Sequence, residues 1–248
     1  MSDQPNVDPT ATPAATEKTS VWEDFIDIFY APATVFERRA AGAFGIPMLV
    51  VAVLSALFFN LSMNTVQPAM DAEFARATAV QMKKNPQITA EQMATARTFQ
   101  EKIAKYAAII VIPIVILCVA LTAWLSGKIV GAKESFAAAT MVVSYAFVPR
   151  LLEGILNGVQ GMLRSPDSLN GMMRLKIGPT FFMDPDTASP LLLALLGRVD
   201  VFTIWATVLI AIGLSVTGKI PRSQAAVAAV IVWVIGALPT LIPALMAS

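Results

Sequence analysis

Four stretches of the chain, residues 40–70, 106–127, 201–218 and 223–248, contain no Asp, Glu, Lys or Arg. Each is about as long as the roughly 20 apolar residues that cross a hydrocarbon core about 30 Å thick. A soluble amphipathic helix would show a charge on its outer face every few residues. These runs are apolar all round, so the chain is expected to be an integral membrane protein. Only 14% of the 248 residues are charged, against about a quarter in a soluble domain.

The net charge of +1 leaves no basic stripe outside the positions that flank the runs, so no nucleic-acid partner is expected. The chain has no histidine, the commonest metal ligand, triad base and pH switch. The one cysteine, Cys118, lies inside an apolar run. It can form neither an intramolecular disulfide nor a cysteine-built zinc site. Asp184-Pro185-Asp186 offers too few carboxylates for calcium. Met162, Met172, Met173 and Met183 read as packing residues rather than copper ligands. No phosphate-binding glycine loop, nucleophile elbow or metalloprotease helix is present. No enzyme activity, cofactor or metal is therefore expected.

Residues 1–19 are polar and rich in Pro, Thr and Ala; they are expected to be a disordered tail rather than a signal peptide. Arg38-Arg39 precedes an apolar run too long for a signal-peptide core of roughly 7–15 residues, so the pair reads as a cytoplasmic anchor. Ser20-Val21-Trp22-Glu23 fits a capping box. The helix it opens places Trp22, Phe25, Ile26, Phe29 and Phe36 near one face, with Glu23, Asp24 and Asp27 elsewhere. Pro32 breaks or bends it. Two placements stay open: in the headgroup region with the aromatics dipping inward, or docked on the protein's own cytoplasmic ends.

Residues 20–248 read as one membrane domain with spans at 45–63, 106–125, 136–156, 201–216 and 225–246. The polar stretch 67–105, with six basic and four acidic residues, reads as two helices separated at Asn85-Pro86. Thr89-Ala90-Glu91-Gln92 is a second capping box. The helix it opens is expected to run into the second span, a rod of roughly 54 Å to Leu125 at 1.5 Å per residue. Ser189-Pro190 starts and Gly197 stops a short helix. Asp200 caps the fourth span and Gly218 ends it. Arg38, Arg39, Lys128, Lys133, Lys219 and Arg222 all fall in short connections on one side, which makes that side cytoplasmic. The expected fold is all-α: a polytopic transmembrane helical bundle of five spans, with extramembrane helices in the first long loop and the N-terminus in the cytoplasm.

Four stretches carry a family likeness. They are Ala31-Pro32-Ala33-Thr34-Val35-Phe36, Ser144-Tyr145-Ala146-Phe147-Val148-Pro149, Val199-Asp200-Val201-Phe202-Thr203-Ile204-Trp205, and Leu209-Ile210-Ala211-Ile212-Gly213-Leu214. Together they resemble the Pro-x-x-x-Phe, Tyr-Ala-x-x-Pro, Asp-x-Phe-x-x-Trp and glycine-containing segments of the Yip (Ypt-interacting-protein) family of five-span membrane proteins. The resemblance covers residues 21–246. The 67–105 loop is longer than the family pattern, and Arg150 is not demanded by it. The resemblance implies a membrane-embedded scaffold or partner protein. In eukaryotic members it implies contact with Rab-type GTPases, but this Ala-rich, histidine-free chain reads as bacterial, so that role is not carried over.

Within the third span, Arg150, Glu153, Asn157 and Gln160 recur at three, four and three residues, on one stripe of a helix. Gly154, Gly158 and Gly161 lie beside it. A charge near the midplane costs at least about 2.5–3.5 kcal/mol on insertion scales. Arg150 and Glu153 can offset this by pairing at i,i+3. Two readings stay open: interhelical glue worth roughly 0.6 kcal/mol per polar contact, or a polar cavity for a headgroup or solute. Asp200 reads as a helix cap, with a salt bridge to Arg150 or Arg198 as the alternative. The expected function is a non-enzymatic scaffold acting through helix–helix contacts with a membrane-protein partner or with a second copy, in the lipid bilayer of the bacterial inner membrane. The alternative is a small transporter or lipid-handling protein that uses the polar stripe.

Overall fold

The computed structural model describes residues 20–247; the tail expected at 1–19 lies outside the described residues. Every helix or strand assigned among them is helical. Five segments are long and apolar enough to cross a membrane: Gly45–Lys84, Tyr106–Ile129, Phe136–Leu163, Val201–Gly218 and Arg222–Met246.

The chain opens with α1 (Val21–Asp27), where Ser20 and Glu23 close the expected capping box, and α2 (Pro32–Arg38), which has Pro32 at its first turn. The predicted aromatic face divides. Phe25 and Phe29 turn inward, with Ile28 fully buried, while Trp22, Ile26 and Tyr30 are exposed. The α1–α2 pair does not lie flat at the surface. Gly42, at φ +88°, passes against Ala137 at the base of the third span. The Phe29 ring sits 5.4 Å from that of Trp205. Thr203 bonds Arg150 and Gly213 packs on Val142, so Trp205 stands roughly 15 Å above Ala137 at 1.5 Å per residue. The pair is a re-entrant helical hairpin that climbs the bundle beside the fourth span.

Helix α3 (Gly45–Lys84) and helix α4 (Ala90–Ile129) are each continuous for 40 residues. The loop between the first two spans thus has no separate helices. Both spans extend beyond their apolar runs and pair as an antiparallel hairpin, joined across residues 85–89. α3 stays helical through Pro68 because the Ala- and Met-rich sequence after it favours helix and only one backbone bond is lost. Thr89 and Gln92 close the second capping box.

The third span has a break that periodicity did not reveal. Helix α5 (Phe136–Ala146) gives way to α6 (Pro149–Leu163). Pro149 has no N–H to offer the preceding turn, and the Tyr145 carbonyl instead accepts from Val148 N at 3.0 Å. This span is the axis of the bundle: 61% of its apolar stretch is buried, against 50% for the fourth span and 28% or less for the others.

Residues 164–189 fold through three short 3₁₀ turns into α7 (Pro190–Leu196), capped by Ser189 as expected. Helix α8 (Val201–Gly218) is capped by Asp200. It ends differently from the expectation. Lys219, not Gly218, takes the left-handed conformation at φ 53°. Gly218 is instead needed for close approach, since a Cβ there would lie 2.7 Å from both Ala132 Cβ and Glu134 Oε2. The fifth span is α9 (Arg222–Ile235) and α10 (Leu238–Ala247), broken at Gly236–Ala237 before Pro239.

The core joins Met141, Val142 and Tyr145 of α5 to Leu209, Ile210 and Leu214 of α8, with Ile116 and Ala120 of α4 and Ala225, Ala228 and Ala229 of α9. Lipid is as apolar as these side chains, so packing rather than hydrophobicity holds the spans together. Alanine and glycine at the contacts let the backbones approach.

Candidate functional site

Pro149 starts a new helix, and this places Arg150 in its first turn, facing α8. Arg150 Nη1 donates to Glu153 Oε2 at 3.0 Å and Nη2 to Thr203 Oγ1 at 3.0 Å. The guanidinium also lies 5.5 Å from the Phe147 ring centroid. Asp200 is 1% exposed. Its Oδ1 accepts from the N–H groups of Phe202 at 3.1 Å and Thr203 at 2.9 Å. Neither Arg150 nor Arg198 forms an ion pair with it; Lys176 Nζ lies 3.6 Å from Oδ2. Thr203 therefore links the cap to the Arg150–Glu153 pair.

The rest of the predicted stripe divides by neighbour. Gln160 Nε2 donates to the Leu175 carbonyl at 2.8 Å and ties the 164–189 segment to the span. The Asn157 side chain has no hydrogen bond among the described residues. Gly154, Gly158 and Gly161 face α3. A Cβ at Gly154 would meet only Phe58 Cβ at 3.6 Å, one at Gly158 would strike Ser62 Oγ, and one at Gly161 would lie 2.7 Å from the Thr65 carbonyl carbon. The glycine edge thus seats α6 on α3 within the chain.

Between α3, α4, α6, α8 and α9 lies a cavity of about 360 Å³. Its polar wall holds Arg150, Arg198, Thr203, Thr207 and Trp233; its apolar wall holds Ile112, Val115, Val119 and Ile210. Arg198 entered the sequence analysis only as an alternative ion-pair partner for Asp200. Its Nη2 donates to the Trp233 carbonyl at 2.9 Å, and Trp233 Nε1 donates to the Arg198 carbonyl at 3.2 Å. Arg198 Nε is buried without a partner. Burial and the neighbouring Arg150 guanidinium pull the Arg198 pKa below the usual guanidinium range, with Asp200 opposing.

A second polar cluster escaped the sequence reading. Asp24, expected only to lie off the aromatic face, is fully buried. Arg38 Nη2 reaches its Oδ1 at 2.7 Å and Arg39 Nε its Oδ2 at 2.6 Å, and the Tyr145 hydroxyl donates to Oδ2 at 3.1 Å. Arg38 also pairs with Asp27 at 2.6 Å. The only sequence signal was acidic residues one hairpin away from an arginine pair. A charge taken below the membrane surface persists only when paired, and this arrangement pairs it.

A family model for the Yip1 domain matches residues 26–242. The chain belongs to the Yip1 domain family. No curated protein and no solved structure gave a match. In this Yip1 domain three of the four stretches that carried the resemblance meet at the hairpin, while Gly213 of the fourth packs on Val142. Phe36 is buried on α2, Tyr145 bonds Asp24, Pro149 breaks the third span, and Trp205 packs on Phe29. Asp200 opens the fourth span as its cap. Each of these positions takes part in helix packing, breaking or capping.

Proposed function

We propose that this Yip1 domain protein is a non-enzymatic membrane scaffold, which holds a partner membrane protein or a second copy of itself through helix–helix contacts. It resides in the bacterial cytoplasmic membrane with its N-terminus inside. One observation supports this above others. The paired ends of α3 and α4 continue past the apolar runs, pinned by Arg97 to Asp71, to Glu101 at 2.8 Å and over the Phe74 ring at 5.1 Å. On this extension of α4, Phe99 and Ile103 are exposed at i and i+4, in line with exposed Tyr106 at i+7 where the charge-free run begins. An apolar helical stripe beyond the charge-free run is not required by lipid, and it suits a partner helix.

A photo-crosslinking residue at Phe99 in intact membranes tests the proposal. A discrete protein adduct, abolished by Ile103→Asp and retained with a substitution at Thr95, is expected. Lipid adducts alone would leave the hairpin without a partner and overturn it. Reporter fusions at the C-terminus test the orientation: an external signal is expected, and a cytoplasmic one refutes the N-terminus-inside arrangement.

A further inference from the structure

The charges around the third and fourth spans do not balance. Arg150 pairs with Glu153 and Lys176 stands beside Asp200. Arg198 is left with a backbone carbonyl, the Trp233 ring 5.8 Å away at its centroid, and no carboxylate within ion-pair distance among the described residues. A half-buried guanidinium at the end of a transmembrane helix is costly without a counter-charge. Arg198 and Arg150 both line the cavity, and no carboxylate does.

The cavity is also graded along its length. On α8, Thr203 and Thr207 give way to Ile210, roughly 10 Å deeper into the bundle at 1.5 Å per residue. On α4, Ile112, Val115 and Val119 form a wholly apolar wall of the same cavity. Gly236, at the α9–α10 break, leaves room for Arg198: a Cβ there would lie 3.1 Å from Nη2. Two guanidinium forks on one wall and hydrocarbon on the wall that faces them match an amphiphile with an anionic head. The volume falls within the roughly 300–1,000 Å³ of small-molecule sites.

We propose that this cavity binds a phosphate-type anion, with Arg198 as its principal partner and Arg150 as its second. The apolar wall fits the acyl chain of a phospholipid whose head carries that phosphate. A free phosphate ester is the other source of the same chemistry. Thr203, whose hydroxyl accepts from Arg150, keeps its own O–H to donate beside the head, whereas the Thr207 hydroxyl donates to the Thr203 carbonyl; Trp233 flanks the site.

The test uses the full chain in a phosphate-free maltoside detergent. Phosphatidylglycerol, diacylglycerol and glycerol phosphate are titrated separately, and binding is read by native mass spectrometry and by the shift in thermal midpoint. Phosphatidylglycerol is expected to bind one per chain and saturably, and diacylglycerol not to bind. Arg198→Gln should weaken binding about tenfold or more, the value of one charged hydrogen-bond donor, and Arg198→Lys should restore part of it. Glycerol phosphate binding as tightly, with the same dependence on Arg198, assigns the site to a free anion and upholds the anion chemistry. Equal binding of phosphatidylglycerol by the wild type and Arg198→Gln, or equal binding of diacylglycerol, overturns the proposal. If Arg198→Gln does not fold, a photoactivatable phosphatidylglycerol on the wild type decides. Adducts at Val115, Ile210 or Trp233 support the site, and adducts confined to other positions refute it.

Discussion

The hydroxyl of Tyr145, in the middle of the third span, donates across 3.1 Å to Oδ2 of Asp24 in the first helix. One buried carboxylate thereby joins two arginines of the hairpin to the axis of the bundle. Asp24→Ala should remove the buried carboxylate that Arg38 and Arg39 share, leaving Asp27 as the carboxylate paired with Arg38. Both arginines retain some contact with solvent, about a quarter of each side chain. The loss should therefore fall at the lower end of the about 3–5 kcal/mol expected for breaking a buried ion pair. Tyr145→Phe removes a single hydrogen bond and should cost about 1 kcal/mol. Unfolding in mixed micelles measures both, and equal losses for the two variants would contradict this arrangement.

The glycine edge of α6 should respond to alanine in graded fashion. Gly154→Ala has room and gains about 0.5–1 kcal/mol of helix preference. At Gly158 the obstacle is the Ser62 side chain, which can rotate; at Gly161 it is the Thr65 backbone, which cannot. Gly161→Ala should therefore be the most damaging, by about 1–3 kcal/mol, with Gly158→Ala between. Thermal midpoints of the three variants give the order, and a flat series would mean that α6 does not lie on α3 as described.

Arg150 and Glu153 form a pair within the span. Arg150→Ala strands a mostly buried carboxylate, whose side chain is 15% exposed. It should lower folded yield more than the double substitution of Met at both positions, which removes both charges together. Yields in detergent, compared by size-exclusion profile, decide. A double variant no better than the single would show that the two residues act separately.

Glu134 lies between Gly127 and Gly218, with both carboxylate oxygens buried and without partners. Burial raises its pKa above the ordinary 4.5, opposed by its own backbone N–H and by Lys128. The folded state therefore holds this proton to higher pH than the unfolded chain does. Its contribution to stability falls as pH rises from the unfolded value through the raised folded one, and the penalty is complete above that. Glu134→Gln should flatten this part of the profile and raise the midpoint at pH 8 relative to pH 5. Thermal melts across that window measure it; an unchanged profile would mean that the carboxyl is hydrated.

Lengths of apolar sequence, charge-free runs and capping residues are local properties, and they were legible without coordinates. They placed five spans, the caps at Ser20, Thr89, Ser189 and Asp200, and the continuous α4, because each depends on neighbours within a few residues. The i,i+3 spacing likewise announced the Arg150–Glu153 pair. The breaks at Ala146–Pro149 and Gly236–Ala237 were less legible. A proline in a span either bends a helix or divides it, according to what its neighbours can satisfy.

The chain by itself thus determined that this is a five-span helical membrane protein with charges set inside it. Only the tertiary structure decided which charges meet. Asp24 lies 121 residues from Tyr145 in sequence, and Arg198 lies 35 from Trp233. No helical period connects positions so far apart. Their contacts follow from the packing of α1 and α2 beside the fourth span and of α9 across the start of α8. For the same reason, only the packed structure shows that the glycines beside the polar stripe lie against α3.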